Sequence, residues 1–376
     1  MASYSLTTLW HERQRYAPGM LAVAFSAILI ALQCGLLLGL FSITSIPIDH
    51  TRADVWMGAS EVSSVDLGRP IPESTQARMG ALPEIERCEP YLQGFAFWSK
   101  PNNGGSELCM VIGSRLLPDS LGRIDKLTDE QCGMLAEEGT VIIDKSDAKK
   151  LGVEVEKKAE ISSHPVQVVS MTRGLPSLAG PYVLCSINTA RKLLPVQKGD
   201  TTTYILGRCK NKQDAAKVVE KLKDTYKDVS AFTQADFSRR TQLHWLLRTK
   251  AGIALGYAAA LGLLVGAVVT SQTLYAATIA SLREYAVLRA LGIPRWRIAG
   301  MVVSESFWIG IIGIALALPS AYGLKWGADR LMGVAVVSLP WWLQSSAALV
   351  TLIMALGSGL FALRSLRQID PAMLLH

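Results

Sequence analysis

Arg283-Glu284-Tyr285-Ala286-Val287-Leu288-Arg289-Ala290-Leu291-Gly292 is a short charged, amphipathic stretch set between two long apolar runs. At helical spacing Leu282, Tyr285, Ala286, Leu288 and Leu291 form an apolar strip, while Arg283, Glu284 and Arg289 project elsewhere. Gly292 suits a left-handed C-cap, and Pro294 stops the helix. A bilayer crossing has no need of these charges. The stretch therefore reads as a surface displayed on one side of a membrane.

Outward from it, the chain has 376 residues, 50% hydrophobic and 18% charged. The distribution is more telling than the average. The stretches 16–48, 251–282, 298–324 and 331–363 carry no charge except Glu305. Each can supply the roughly 20 apolar residues that a helix needs to cross a hydrocarbon core. The first run is too long for a signal-peptide core and reads as an anchor. The expected order is an interfacial helix over 1–17, a span over 18–44 opened by Pro18, and a large domain over 45–243. A span over 244–280, the charged segment 281–297 and a span over 298–324 follow. An outer loop over 325–340, a span over 341–363 and a tail over 364–376 complete the chain. Trp341 and Trp342 suit the membrane interface.

Arginines mark one side. Arg13, Arg15, Arg283, Arg289, Arg295, Arg297, Arg364 and Arg367 flank the spans there, against Arg248, Lys250, Lys325 and Arg330 opposite. By the positive-inside rule both termini and the charged segment are cytoplasmic, and the domain lies outside. Residues 45–243 hold 26 basic and 26 acidic side chains, so the net charge of +7 belongs to the membrane part. Contact with anionic lipids explains that charge, and nucleic acid is not expected as a partner.

The domain reads as mixed α/β. A strand near 53–67, a helix from Pro72 to about Leu82 and a strand over 84–97 make one β-α-β unit. A strand over 203–209, a helix capped by Asn211 and a strand over 228–232 make another. Together they are a split ferredoxin-like pair, 45–97 with 201–233, around an insert over 98–200 that opens at a hinge, Pro101-Asn102-Asn103-Gly104-Gly105. A helix from Gln234 runs without a break into the second span, as a stiff lever.

Gly35 and Gly39, Gly252 and Gly256, and Gly262 and Gly266 are small-x-x-x-small pairs. They allow close helix packing, within one subunit or as a dimer seam. Glu305 is the ionisable residue inside a span, and it reads as a structural charge paired with a nearby arginine. Outside the cytoplasm disulfides are permitted, with Cys185–Cys209 and Cys88–Cys109 as the pairings considered. The five histidines show no metal-ligand spacing, and no nucleophile or paired-acid motif stands out. Neither catalysis nor a bound metal is expected.

The Arg283 to Gly292 run resembles the R-E-aromatic-A-x-L-[RK]-A-[LIM]-G run of the MacB/FtsX-like ABC-transporter permeases. So do the order of spans, Glu305 early in span three, and the ending Leu363-Arg364-Ser365-Leu366-Arg367-Gln368-Ile369-Asp370-Pro371-Ala372. Ser271-Gln272-Thr273-Leu274-Tyr275 is most similar to the DevC-like branch. The resemblance implies four transmembrane helices with a periplasmic porter and Sabre-like insert in an inner-membrane protein. It makes Arg283, Glu284, Tyr285, Leu288, Arg289 and Gly292 a coupling helix for a separate ATPase. The chain lacks a G-x-x-x-x-G-K-[ST] loop, so ATP and Mg would sit on that ATPase, in two copies. A second permease copy is implied, and in some branches a periplasmic adaptor (membrane fusion protein) and a TolC-like duct. The implied activity is mechanotransmission: cytoplasmic hydrolysis moves the periplasmic domains to export or extract a lipid, glycolipid, peptide or small hydrophobic molecule. An FtsX-like regulator of a cell-wall hydrolase and a lipoprotein extractor are the alternatives.

Overall fold

The computed structural model describes residues 13–101, 105–194, 200–281, 284–285, 287–288, 291–332 and 337–366. The chain forms two compact units, Leu40–Ile253 and a pairing of Met1–Gly39 with Ala254–His376.

In chain order the elements are α1 (Arg13–Thr44), α2 (Ile46–Asp49), β1 (Val55–Ala59), β2 (Ile71–Pro72), α3 (Gln76–Gly80), β3 (Ile85–Ser99) and β4 (Ser106–Ser114). Next come α4 (Asp129–Met134), β5 (Thr140–Asp144), α5 (Ala148–Leu151), β6 (Lys158–Ile161), β7 (His164–Thr172), β8 (Tyr182–Ser186), α6 (Ile187–Leu193), β9 (Thr201–Thr202) and β10 (Tyr204–Cys209). The remainder is α7 (Ala215–Thr225), β11 (Val229–Thr233), α8 (Gln234–Arg248), α9 (Lys250–Ala280), α10 (Arg295–Met332) and α11 (Trp341–Leu366).

The first unit is built on one nine-stranded sheet, in the order β11-β1-β10-β3-β4-β8-β5-β7-β6. Its first four strands are antiparallel throughout, and their order is that of a ferredoxin-like β-α-β pair. Every residue of β1 is buried, because both faces of this part are covered. On one face lie Met79 of α3 and Val218 and Leu222 of α7. On the other, Trp56 meets Tyr91, Tyr204 and Phe237 of α8 at ring-centroid distances of 5.3, 5.5 and 5.6 Å. The Tyr91 and Tyr204 pairs are edge-to-face, a geometry favoured by the ring quadrupoles.

The insert does not start at the expected hinge. β3 runs unbroken from Ile85 to Ser99. Its first half pairs with β10 and its second half, from Leu92, pairs with β4. Trp98 and Ser99 also pair with Ile161 and Glu160 of β6, which closes β3, β4, β8, β5, β7 and β6 into a ring around Trp98, Val111, Ile143 and Val183. The glycine-rich turn is the β3–β4 hairpin, where Lys100 N–H donates to the Gly105 carbonyl; residues 102–104 lie outside the described residues. A shared strand joins the two parts where a linker was expected.

The stalk also differs from expectation. α8 is fastened along its length. Gln234 Nε2 donates to the Ile48 carbonyl, Arg240 Nε to Val62, and Gln242 Nε2 to Ser45 Oγ; Thr241 Oγ1 accepts from Val65 N–H. The helix then ends. Thr249 is extended, at φ −95° and ψ 146°. Its hydroxyl donates to the Trp245 carbonyl and accepts from Gly252 N–H at 3.1 Å, so it caps α9 as well. A Cβ on Gly252 would meet the Trp245 carbonyl at 2.0 Å. Gly252 is therefore a corner glycine, and no continuous helix links the sheet to the second span.

Among the described residues four helices are long and apolar enough to cross a membrane, over Gln14–Thr44, Lys250–Ala280, Trp296–Arg330 and Trp341–Phe361. α1 begins before Pro18, which lies inside the helix; of the expected interfacial helix, residues 1–12 lie outside the described residues and the rest continues into α1. Tyr16, Val23, Leu274, Ile309 and Ala355 form one core of the second unit. Ser26 Oγ donates to the Gly266 carbonyl at 3.0 Å, and Thr270 Oγ1 donates to Ser26. Cβ atoms on Gly262 and Gly266 would lie 3.1 Å from Gln33 and 3.3 Å from Ser26. One on Gly35 would lie 2.8 Å from Leu339, beside the 3.0 Å bond from Ser338 N–H to the Gly35 carbonyl. These three glycines serve packing within the chain. Gly39 is buried and Gly256 half-buried.

Candidate functional site

The site is the turn between α9 and α10. Ser281 N–H donates to Thr278, and Tyr285 N–H donates to the Ser281 carbonyl at 3.1 Å, extending a helical turn past the end of α9. Leu291 N–H donates to Val287, and Ile293 N–H to Leu288. Gly292, at φ +86°, closes this turn in the left-handed conformation that glycine adopts without strain. The Pro294 carbonyl accepts from Arg297 and Ile298 N–H, starting α10.

Four contacts hold the segment. Tyr285, only 6% exposed, packs on Ile298 and Val302 with Leu288 and Ile293 beside them. Its hydroxyl donates to Glu305 Oε2 at 2.8 Å. Burial, and then the adjacent Glu305, push the phenol well above its usual range, so it stays a donor. At the head of α1, Arg15 Nη1 pairs with Glu284 Oε1 at 2.6 Å, and Tyr16 Oη lies 3.5 Å from Ser281 Oγ.

This geometry divides the expected coupling residues. Tyr285 faces inward, its ring packed on Ile298 and Val302 of α10 and its hydroxyl on Glu305 of the same helix. Leu288 is half-buried in the same cluster. Glu284 is exposed but held by Arg15. Arg283 and Arg289 lie outside the described residues. Among the described residues of the turn, the apolar side chains presented outward are Val287 at 55%, Leu291 at 75% and Trp296 at 67% exposure, the last with the Arg297 guanidinium 5.3 Å from its ring centroid. Trp296 was missed because it follows the proline stop. Arg15 was missed because no local spacing ties it to residue 284.

Glu305 accepts from the Tyr285 hydroxyl, a partner the sequence did not point to. The disulfide pairings are overturned. Cys185 on β8 and Cys209 on β10 are separated by β3 and β4, about 14 Å at ordinary strand spacing. Cys88 pairs with Gly207, whereas Cys109 pairs with Ala96 eight residues farther along β3, about 25 Å away. A bridge requires Cα atoms within about 7 Å. All four thiols are free; Cys109 Sγ donates to the Ala96 carbonyl, and burial pushes its thiol up to about 12.

Comparison with known proteins bears on this turn directly. Residues 256–371, which contain all of it, match the family model described as FtsX-like permease C-terminal. Over that stretch the chain is similar to the FtsX-like permeases. From residue 256 of α9, through the turn and α10 to the end of α11, the match is one continuous segment. No curated protein matches the chain. Among solved structures, the periplasmic region of MacB from Actinobacillus actinomycetemcomitans is similar over 51% of this chain and 94% of its own, at 14% identity and a TM-score of 0.36. The extracellular domain of the noncanonic ABC-type transporter YknZ from Gram-positive bacteria is similar over 47% and 98%, at 11% identity and a TM-score of 0.33.

Proposed function

We propose that the chain is the non-catalytic permease subunit of an ATP-driven transporter, and that the α9–α10 turn receives force from a separate ABC ATPase carrying ATP and Mg. The supporting observation is the division of labour within the turn. Tyr285 and Glu284 tie it to α10 and α1, while Val287, Leu291 and Trp296 stand outward beside cationic Arg297. A surface that is both apolar and anchored can accept a partner and transmit its displacement. In this reading the turn and both termini are cytoplasmic in an inner membrane. The 40–253 unit is periplasmic and works on a periplasmic or outer-leaflet substrate, and two permease copies assemble with two ATPase copies.

The test is co-purification of full-length chain and ATPase from mild detergent. Leu291→Asp and Val287→Asp should each release the ATPase while the permease still inserts. Retention of the ATPase by both variants would refute this docking surface.

A further inference from the structure

We propose that the 40–253 unit holds a binding site for a phosphate-bearing anion, in the cavity beside the β3–β10 bulge. The inference does not depend on the transport reading.

The cavity is about 400 Å³ and is lined by Arg52, Asp54, Glu86, Arg208, Lys210 and Lys212 among others. A volume of that order suits a small ligand or a headgroup. Four cations face two carboxylates there, a local excess of two positive charges in a domain that is neutral as a whole. Asp54 is already engaged, since its Oδ2 accepts from Cys209 N–H at 3.1 Å.

Several basic side chains elsewhere in the unit find carboxylates: Arg78 with Asp228, Arg87 with Asp119, Arg191 with Glu73, Lys221 with Glu84. None of the four cavity cations forms an ion pair among the described residues. Arg52 and Lys210 donate to neutral carbonyls, those of Pro118 at 2.6 Å and Pro83 at 2.7 Å, which fix the side chains; Asp119, near Arg52, is itself paired with Arg87. The side chains of Arg208 and Lys212 have no hydrogen-bond partner among the described residues. The geometry is local to the bulge. Arg208 opposes Arg87 but Cys209 opposes Ile85, so Glu86 is the extra residue and the ladder opens beside it. Bulges re-aim side chains in this way next to sites.

A tetrahedral oxyanion suits this set. Guanidinium forks on Arg52 and Arg208 present paired donors to phosphate oxygens, and the lysines add point charges. The same chemistry is offered by a lipid headgroup and by free phosphate.

The experiment uses the full chain in phosphatidylcholine nanodiscs, with dihexanoyl phosphatidic acid titrated by calorimetry and inorganic phosphate as competitor. Saturable binding is expected. Arg208→Gln with Lys212→Gln should weaken it about tenfold, roughly one lost charge-assisted contact. Glu86→Gln should tighten it severalfold, an effect that misfolding would not produce. Competition by inorganic phosphate would assign the site to the anion alone, and binding without competition would assign it to the lipid headgroup. Absence of saturable binding, or affinities within twofold of wild type in both variants, would overturn the proposal.

Discussion

Replacing Tyr285 by Phe isolates one attachment of the turn. The ring is buried against Ile298 and Val302, and Phe keeps that volume. What is lost is the 2.8 Å bond from the hydroxyl to Glu305 Oε2. A hydrogen bond to a charged group contributes about 1.5–3 kcal/mol net. Glu305 has further interactions in the structure, so the lower end, about 1.5 kcal/mol, applies. That is about a tenfold rise in the open fraction of the turn. Hydrogen exchange on the full chain in nanodiscs reads this directly. The amides of Leu291 and Ile293, which donate to Val287 and Leu288, should exchange about tenfold faster. Glu305→Gln should fall between, because its amide oxygen still accepts from the phenol in a neutral bond of about 1 kcal/mol. Exchange in Tyr285→Phe within twofold of wild type would refute the reasoning, leaving the apolar cluster alone to hold the turn.

Gly292→Ala should destabilise the same turn by about 1 kcal/mol through its φ of +86°, with no steric clash since no atom lies within 4 Å, and faster exchange at Ile293 would show it. Asp147 has a buried Oδ2 without a partner among the described residues, and burial, then Asp144, pushes its carboxyl up to about 6. The folded-state value is raised, so its stabilising contribution is full below the unfolded value and is lost as pH rises through about 6. Asp147→Asn should therefore raise the melting temperature at neutral pH and flatten its decline between weakly acidic and neutral pH; an unchanged slope would contradict this. Intact-mass measurement after denaturation and alkylation without reductant should show Cys88, Cys109, Cys132, Cys185 and Cys209 all modified.

Much was legible in the sequence where physics is local. Spans follow from charge-free runs longer than a bilayer core, and the first β-α-β strands follow from alternating patterns, so α1, α9, α10 and α11 and the ferredoxin-like half were expected. The turn at Gly292 was legible because glycine and proline punctuate any chain. The direction in which Tyr285 points was not. An amphipathic strip shows that one face is apolar, and says nothing of whether that face meets α10 or a partner.

What only the tertiary structure decided is non-local. β3 is a single run of residues, yet its two halves belong to different pairings, and the closure of Trp98 onto Ile161 bridges more than sixty positions. The break at Thr249 was hidden because Thr, Lys and Gly tolerate a helix. It forms because the Thr249 hydroxyl bonds both ways and Gly252 lets the backbone approach Trp245. The cavity cations come from β10, the chain after it and the segment before β1. Sequence sets their charge, but only the register shift at Arg208 and Cys209 brings them to one place, since hydrogen-bond register depends on the partner strand.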